Sequence, residues 1–304
     1  MIRIVVLVDN ESRSPVFTDF ETSCRKVGIE KSQRISSEHG LSLYIDTGDR
    51  RILFDMGKTD IYRKNAEALG VDLSQTDYAV ISHGHSDHGG GLADFLKNNV
   101  SARIYVRRNA FEKHYSNRGD DGVFDVGFEM PAEDSDRARI TLTEEEYEIE
   151  PGIALFSVPD ICLPMPLGNR TLFGRTNDGN YIPDDFLHEQ NVLIQKEGVS
   201  LLIAGCAHRG IPNILNWVNE RFKIHPQYII GGFHLSHYSD HGTDGRNQLQ
   251  QFTEYLKRSG AMCYTGHCTG IGAYLKLKKI LGDRIEYAYA GRVINITDKE
   301  KKHE

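Results

Sequence analysis

The sequence predicts an α/β protein in which two half-sheets pack together with helices on the outside. Short apolar segments with strand character open each half of the chain, and helix-like segments then alternate with further short strands. The 304 residues include 39% hydrophobic and 26% charged residues, an ordinary composition for a globular protein. This length is sufficient for one large domain or two small ones.

The first half of the chain begins with segments of strand composition at residues 2–8, 41–46 and 51–55. Gly48 suits a hairpin turn between the second and third of these segments. The polar segment over residues 10–39 is too long for a simple connector, so it is predicted to be a functional loop or an inserted subdomain. A helix is predicted over residues 60–69 with Gly70 as its stop, and a short buried strand over residues 78–82.

The second half repeats this pattern. Strands are predicted at residues 192–195, 200–204, 228–230 and 261–264, with one or two more over residues 287–296, and helices at residues 211–222, 245–258 and 269–281. Residues 107–190 lie between the two halves and contain several prolines but few periodic segments. We predict that this loop-rich region consists of strands and long loops that cover and shape a pocket.

Composition excludes some functional classes. The net charge is -7 and no block of Lys or Arg forms a basic stripe, which argues against nucleic acid as a partner. The apolar run over residues 2–8 is too short to span a membrane, so no membrane partner is expected. Five scattered cysteines disfavour a disulfide framework and favour a reducing cytoplasm.

The strongest chemical signal follows the strand predicted at residues 78–82, and reads His83-Gly84-His85-Ser86-Asp87-His88. A helix is predicted next, over residues 89–97, so the cluster lies in a strand-to-helix turn, where α/β proteins usually bind ligands. The side chains of His83 and His85 can point toward one cation, and those of Asp87 and His88 toward a second. Imidazole and carboxylate are ligands that zinc prefers. The alternative, four exposed polar residues in a loop, is disfavoured by their close spacing.

Two further histidines follow predicted strands in the second half. His208 ends the segment Gly-Cys-Ala-His after one strand, and His267 ends Gly-His after another. Both precede helices, so both side chains should emerge at the sheet edge that carries the first cluster. We expect both to bind metal, although a single histidine after a strand is more often structural.

These motifs carry a family resemblance. Residues 82–90 resemble the HxHxDH signature of the metallo-β-lactamase superfamily. Residues 205–215, 231–235 and 265–270 resemble the branch of 7,8-dihydropterin-6-methyl-4-(β-D-ribofuranosyl)aminobenzene-5′-phosphate synthase-like proteins. The resemblance implies one domain over residues 1–304 with a four-layer αββα sandwich. It also implies two divalent metal ions, zinc first, with manganese or iron as alternatives.

The resemblance implies two ligand sets, with His83, His85 and His208 at the first metal and Asp87, His88 and His267 at the second. Many superfamily members have a bridging Asp where this chain has Cys206. This residue is either a thiolate ligand or a small buried side chain, and without it the second metal is held more weakly.

Another histidine competes with His208. His188 lies near the usual position of the third metal histidine, but it precedes a predicted strand rather than ending one, so His208 is favoured. Asp185, His188 and Glu189 remain candidates for supporting the ligands.

The resemblance implies a metal-dependent hydrolase or a phosphate-displacing transferase that acts on a small anionic metabolite, phosphorylated and pterin-related. Asp87 would orient the nucleophile. His234 would contact the anionic substrate or protonate the leaving group, with a structural role as the alternative. A nucleic-acid phosphodiesterase and a non-catalytic metal-binding sensor are the competing hypotheses, and a homo-oligomer is left open.

Overall fold

A computed structural model describes residues 1–15, 35–176 and 178–297. The predicted insert over residues 10–39 therefore lies mostly outside the described residues. Within the described residues the strands are, in chain order, β1 (Ile2–Val8), β2 (Ser42–Asp46), β3 (Arg51–Phe54), β4 (Tyr78–Ile81), β5 (Arg103–Arg107), β6 (His114–Asn117), β7 (Val123–Asp125), β8 (Ile140–Thr143), β9 (Glu146–Glu150), β10 (Ile153–Phe156), β11 (Leu172–Arg175), β12 (Tyr181–Pro183), β13 (Asn191–Lys196), β14 (Val199–Ile203), β15 (Tyr228–Gly231), β16 (Met262–Thr265), β17 (Ile285–Tyr287) and β18 (Val293–Ile296).

The α-helices of the same described ranges are α1 (Ile61–Ala68), α2 (Ser86–Gly89), α3 (Leu92–Asn98), α4 (Asp134–Arg137), α5 (Ile211–Trp217), α6 (Gly242–Ser259) and α7 (Ile271–Leu281). Each of these helices is too short or too polar to cross a lipid bilayer.

Two large sheets organise the described part of the chain. One has the strand order β18-β1-β2-β3-β4-β5-β8, and the other has the order β17-β16-β15-β14-β13-β10-β9. Strands β3, β4, β5 and β8 run parallel in the first sheet, and β14 to β17 run parallel in the second. Their carboxyl ends carry the loops in which α/β proteins usually bind ligands.

The inner faces of the two sheets share one apolar core. Ile4 and Ile45 from the first sheet belong to the same buried cluster as Ile203 and Ile230 from the second. Removing a side chain of this size from water contributes roughly 1.5–3 kcal/mol. The near-continuous apolar sequence of β1 is explained by its position, because it is paired on both sides, by β18 and β2, and buried on both faces.

Helices cover the two outer faces. Tyr62 of α1 and Phe95 of α3 are buried in the cluster outside the first sheet. Ile214 of α5, Phe252 of α6 and Leu277 of α7 are buried in the cluster outside the second sheet. The layers are therefore helix, sheet, sheet and helix, and the predicted αββα sandwich is confirmed.

Two predicted helices differ in the structure. The helix predicted over residues 89–97 is divided into α2 and α3, and α2 begins inside the histidine cluster at Ser86. A Cβ on Gly90 would lie 2.4 Å from the carbonyl oxygens of Lys58 and Ser86, so this close approach requires glycine. The helix predicted over residues 211–222 is α-helical only to Trp217 and continues as one π-helical turn.

Residues 107–190 contain more regular structure than their sequence indicates. In the described part of this region, β8 extends the first sheet, whereas β10 and β9 extend the second. The other strands form a small sheet in the order β12-β11-β6-β7. Short strands with exposed faces, such as β7 and β12, lack the apolar alternation by which strands are predicted.

Candidate metal centre

Loops from both large sheets converge on one buried cluster of imidazoles. His83, His85 and His88 follow β4, His208 follows β14, and His267 follows β16. Each of these residues is at most 5% exposed. The structure therefore brings together the five histidines that the sequence indicates as ligands.

The hydrogen bonds of His88 and His267 determine which ring nitrogen carries a proton. The Nδ1 of His88 lies 2.6 Å from a carboxylate oxygen of Asp55 and donates to it. The Nδ1 of His267 lies 2.8 Å from the amide oxygen of Asn10, which also accepts a bond from the backbone N–H of Gly40. In its neutral form each ring would present the lone pair of its Nε2, and the two Nε2 atoms are 3.2 Å apart. A cation or a proton must lie near them.

His83 is oriented in the same way. Ser82 donates its hydroxyl proton to Asp55 at 2.7 Å, so its Oγ accepts the Nδ1–H of His83 at 2.9 Å. The Nε2 of His83 therefore presents a lone pair, 3.0 Å from the Nδ1 of His85. Asp55 thus orients two candidate ligand histidines, one directly and one through Ser82.

The fourth oriented ring is that of His208. Its Nδ1 is 2.9 Å from the amide oxygen of Asn169, whose amide nitrogen donates to the His208 carbonyl at 2.7 Å. The Nε2 is buried and has no hydrogen-bond partner among the described residues. One ligand atom each of His83, His85 and His208 lies within 4.8 Å of the others, a spacing that one cation can occupy.

The remaining candidate ligands lie beside the second pair of rings. One carboxylate oxygen of Asp87 is 3.3 Å from the Nε2 of His267 and 3.7 Å from that of His88. The thiol of Cys206 is 3.1 Å from the Nε2 of His88. His83, His88 and Cys206 also form a group that could hold a metal ion, so the thiol lies between the two sets.

The protonation states of the first set suit a cation. Burial, reinforced by the neighbouring histidines, lowers the pKa of His83, His85 and His208 well below 6.5. These rings are therefore neutral near pH 7. Burial also raises the pKa of the Cys206 thiol well above its usual value.

His267 differs from the first set. Burial by itself lowers the pKa of His267, but the electrostatic effect of Cys268 and the hydrogen bond to Asp87 outweigh it, and the pKa is about 9. A proton can therefore occupy the cation's place between His267 and Asp87. The buried lone pairs and the neutral rings together fit divalent cations.

His234 lies beside the first set. It follows β15 with φ at 49°, and its ring centroid is 4.2 Å from that of His208. Its Nδ1 is buried and has no hydrogen-bond partner within the described residues. A Cβ on Gly168 would lie 3.0 Å from its Nε2, so the loop before β11 packs closely on this ring.

His188 and its neighbours form hydrogen bonds with the loops that carry the candidate ligands. The Nδ1 of His188 accepts the backbone N–H of Gly84 at 2.9 Å. The carboxylate of Glu189 accepts the backbone N–H groups of His208 at 2.6 Å and Arg209 at 3.1 Å. The side chain of Asp185 accepts a local bond, from the backbone N–H of Leu187.

Several residues of this centre were not identified from the sequence. Asp55 carried a usable signal, because a carboxylate at the end of a predicted buried strand is unusual. Asn10 and Asn169 gave none, since each is far in sequence from the histidine that it orients. His39 was also missed, and its Nε2 lies 3.4 Å from a carboxylate oxygen of Asp87.

The sequence is similar to those of several known proteins. The sequence model of the metallo-beta-lactamase superfamily matches residues 38–171. Among curated relatives, an uncharacterised protein of Methanocaldococcus jannaschii is 28% identical over 266 residues, which cover 87% of this chain and 96% of that protein. The 7,8-dihydropterin-6-methyl-4-(beta-D-ribofuranosyl)-aminobenzene-5′-phosphate synthase of the same organism is 26% identical over 275 residues, covering 85% of this chain and 90% of the relative.

Among solved structures, a metal-dependent hydrolase of the beta-lactamase superfamily superposes with a TM-score of 0.76 at 28% sequence identity. The superposition covers 98% of this chain and 100% of that one. The likeness therefore extends well beyond residues 38–171.

Proposed function

Since the chain carries a metallo-beta-lactamase superfamily domain, we propose that it is a metal-dependent enzyme with a dinuclear centre. Its substrate is a small anionic metabolite that bears a phosphate group. The reaction is hydrolysis of a phosphate ester, or displacement of phosphate by a second substrate.

One observation carries the proposal. His83, His88, His208 and His267 each donate an Nδ1–H to a fixed acceptor, so four Nε2 lone pairs face a shared interior. The Nε2 atoms of His88 and His267, for example, are 3.2 Å apart. Lone pairs this close repel one another unless a cation or proton lies between them. Metal-binding histidines commonly have this arrangement, with the outer nitrogen donating to a neighbouring acceptor.

The two proposed ligand sets follow from these contacts. The first comprises His83, His85 and His208, and the second comprises Asp87, His88 and His267, with Cys206 between them. Divalent ions, with zinc the leading candidate for such donors, would supply Lewis acidity that acidifies water and offsets charge on a phosphoryl oxygen.

Three side chains at the rim of the centre bind and orient the reactants. Asp87 is the partly exposed carboxylate, with 17% of its side chain accessible, and it accepts a hydrogen bond from the attacking water. His39 is 70% exposed beside Asp87 and can donate to an anionic substrate oxygen. His234 lies beside His208, at the other set, where it can donate a proton to the departing oxygen.

The substrate class is suggested by the curated synthase relative, whose name contains both a dihydropterin and a phosphate. Hydrolysis and phosphate displacement would use the same ligand sets, because both develop negative charge on phosphoryl oxygens. The two reactions differ in the nucleophile, which is water in one and an acceptor substrate in the other.

The decisive assay uses zinc-loaded protein with a phosphate ester of a dihydropterin alcohol, offered alone and together with ribosylaminobenzene phosphate as the acceptor. The Asp87→Asn variant should lose at least 100-fold in kcat/KM, because it lacks the charge that orients water and balances a cation. Asp49→Asn is the matched control, since Asp49 is an exposed carboxylate paired with Lys196. It should retain the wild-type rate.

The outcomes separate the hypotheses. Release of phosphate without a condensed product selects the hydrolase over the synthase. Turnover that survives chelation, or that is equal in wild type and Asp87→Asn, contradicts the proposed function.

A further inference from the structure

A second histidine–carboxylate cluster lies behind the ligand loop, within the region of residues 107–190. His114 begins β6, Asp184 follows β12, and His188 precedes β13. Their side chains are 2–4% exposed, so their polar atoms must be satisfied inside the protein. The proposed ligand sets use none of these three side chains.

The hydrogen bonds of Asp184 fix the direction of every bond in this cluster. Its carboxylate is 3.1 Å from the Nδ1 of His114, 3.3 Å from the Nε2 of His188 and 2.8 Å from the backbone N–H of Phe186. Burial alone raises the pKa of Asp184, but the hydrogen bonds from His114 and His188 outweigh it, and the pKa is well below its usual value. The ionised carboxylate only accepts, so His114 carries its proton on Nδ1.

His114 therefore presents a lone pair on Nε2. This atom is buried and has no hydrogen-bond partner among the described residues. A Cβ on Gly84 would lie 2.4 Å from it, so the nitrogen lies directly over the turn between His83 and His85. The absence of a side chain at Gly84 makes this approach sterically allowed.

The Nε2 of His85 is in the same situation as the Nε2 of His114. It is also buried and without a hydrogen-bond partner in the described part of the chain. The ring centroids of His85 and His114 are 5.8 Å apart with an interplanar angle of 80°. One ligand-type atom from each of His85, His114, Asp184 and His188 lies within 4.8 Å of the others.

The other four histidines of the proposed ligand sets differ from His85 at the nitrogen that faces away from the centre. His83, His88, His208 and His267 each have an acceptor at the nitrogen that faces away from the centre. His85 faces the centre with Nδ1, so a cation bound there would leave the proton on Nε2. That N–H needs an acceptor, and the unused lone pair of His114 is adjacent.

We propose that His114, held by Asp184, is the positioning residue that accepts the Nε2–H of His85, directly or through one water, when His85 binds its cation. This inference rests on the proposed function, because it assigns a role toward the first ligand set. The small sheet of β12, β11, β6 and β7 would then contribute to the site, because it carries His114 behind the ligand loop. His188 completes the support by accepting the Gly84 N–H.

A separate cation within this cluster is the competing interpretation. It is disfavoured because Nδ1 of His114 and both nitrogens of His188 already take part in hydrogen bonds. A cation would have to break several of them.

The experiment titrates the full chain with cobalt(II) against a chelator, and repeats the titration with His267→Ala, which leaves only the first ligand set complete. His114→Phe keeps a ring but removes the acceptor, and Asp184→Asn removes the charge that fixes the His114 proton. Both should weaken cobalt binding at the first set by about 10- to 100-fold and shift its absorption bands. His114→Gln restores an acceptor oxygen and should recover part of the affinity.

His237→Phe is the matched control, because His237 forms a similar pair with Asp240 at 3.0 Å on the exposed surface. Circular dichroism of the metal-free variants establishes that each is folded. Equal affinity and equal absorption bands in wild type, His114→Phe and Asp184→Asn overturn this inference and leave the proposed function intact. A cobalt ion that is lost in His114→Phe while the first set is unaffected also overturns it, by assigning the cluster its own metal. Wild-type protein that binds no cobalt overturns both proposals.

Discussion

We propose that the thiol of Cys206 strengthens the second ligand set. Its thiol is 3.1 Å from the Nε2 of His88 and lies between the two sets. A soft thiolate beside imidazoles is a strong zinc donor, and binding would displace its proton. We therefore expect two zinc ions per chain in wild type and about one in Cys206→Ala, measured by elemental analysis after dialysis.

Two further variants sharpen that measurement. Cys206→Asp supplies a carboxylate where many superfamily members have one, and it should retain two ions. Cys162→Ala is the control, since Cys162 is an exposed free cysteine. Two ions in Cys206→Ala would remove this thiol from the ligand list.

At the residue scale, the sequence indicated the candidate ligands more readily than the residues that orient them. His83, His85, Asp87 and His88 are adjacent in sequence and follow a buried strand, so local spacing was sufficient to single them out. The acceptors that orient them could not be identified in this way. Asp55 precedes His88 by 33 residues, and Asn10 precedes His267 by 257, so only the fold reveals these pairs.

At the element scale, the sequence predicted strands that are buried and missed those that are exposed. The apolar residues of β1 and of the hairpin formed by β13 and β14 are buried, and the predicted positions of these strands are confirmed. β7 and β12 are exposed along their whole lengths and carry no such pattern. The small sheet that they help to form therefore could not be predicted, and neither could the position of His114.

Gln190, at the start of the β13 hairpin, joins the two large sheets at the edge that carries the site. Its amide nitrogen donates to the carbonyls of Ile81 at 2.8 Å and Tyr105 at 3.1 Å, and its oxygen accepts from Thr143 at 2.6 Å. Gln190→Ala leaves these buried groups unpaired. The free energy of unfolding should fall by about 2–4 kcal/mol, measured by urea denaturation of metal-free protein.

Gln75 provides a control for this prediction, because it is exposed and its side chain forms exposed hydrogen bonds with Arg51 and Ser74. Gln75→Ala should change the free energy of unfolding by less than about 0.5 kcal/mol. Equal effects of the two substitutions would show that Gln190 does not join the sheets energetically.

At the scale of the whole molecule, the proposed ligand sets span both halves of the sandwich. His83 and Asp87 follow a strand of the first sheet, whereas His208 and His267 follow strands of the second. The sequence predicted this convergence because both halves alternate strands and helices, which brings the carboxyl ends of the parallel strands to one edge. That residues 1–304 form one domain stays a prediction.

A cation bound to both halves would act as a cross-link, so metal should stabilise the fold as well as the site. A ligand that binds only the folded state stabilises it by about 4 kcal/mol when its free concentration is a thousandfold above Kd. For a chain of this length that corresponds to a rise in Tm of roughly 6 °C. Calorimetry of zinc-loaded and chelator-treated protein measures the difference.

In a His208→Ala, His267→Ala double variant the second half loses both histidine ligands, and zinc should then raise Tm by much less. The exposed His237→Ala variant should respond like wild type, whereas an equal zinc effect in the double variant would contradict the cross-link.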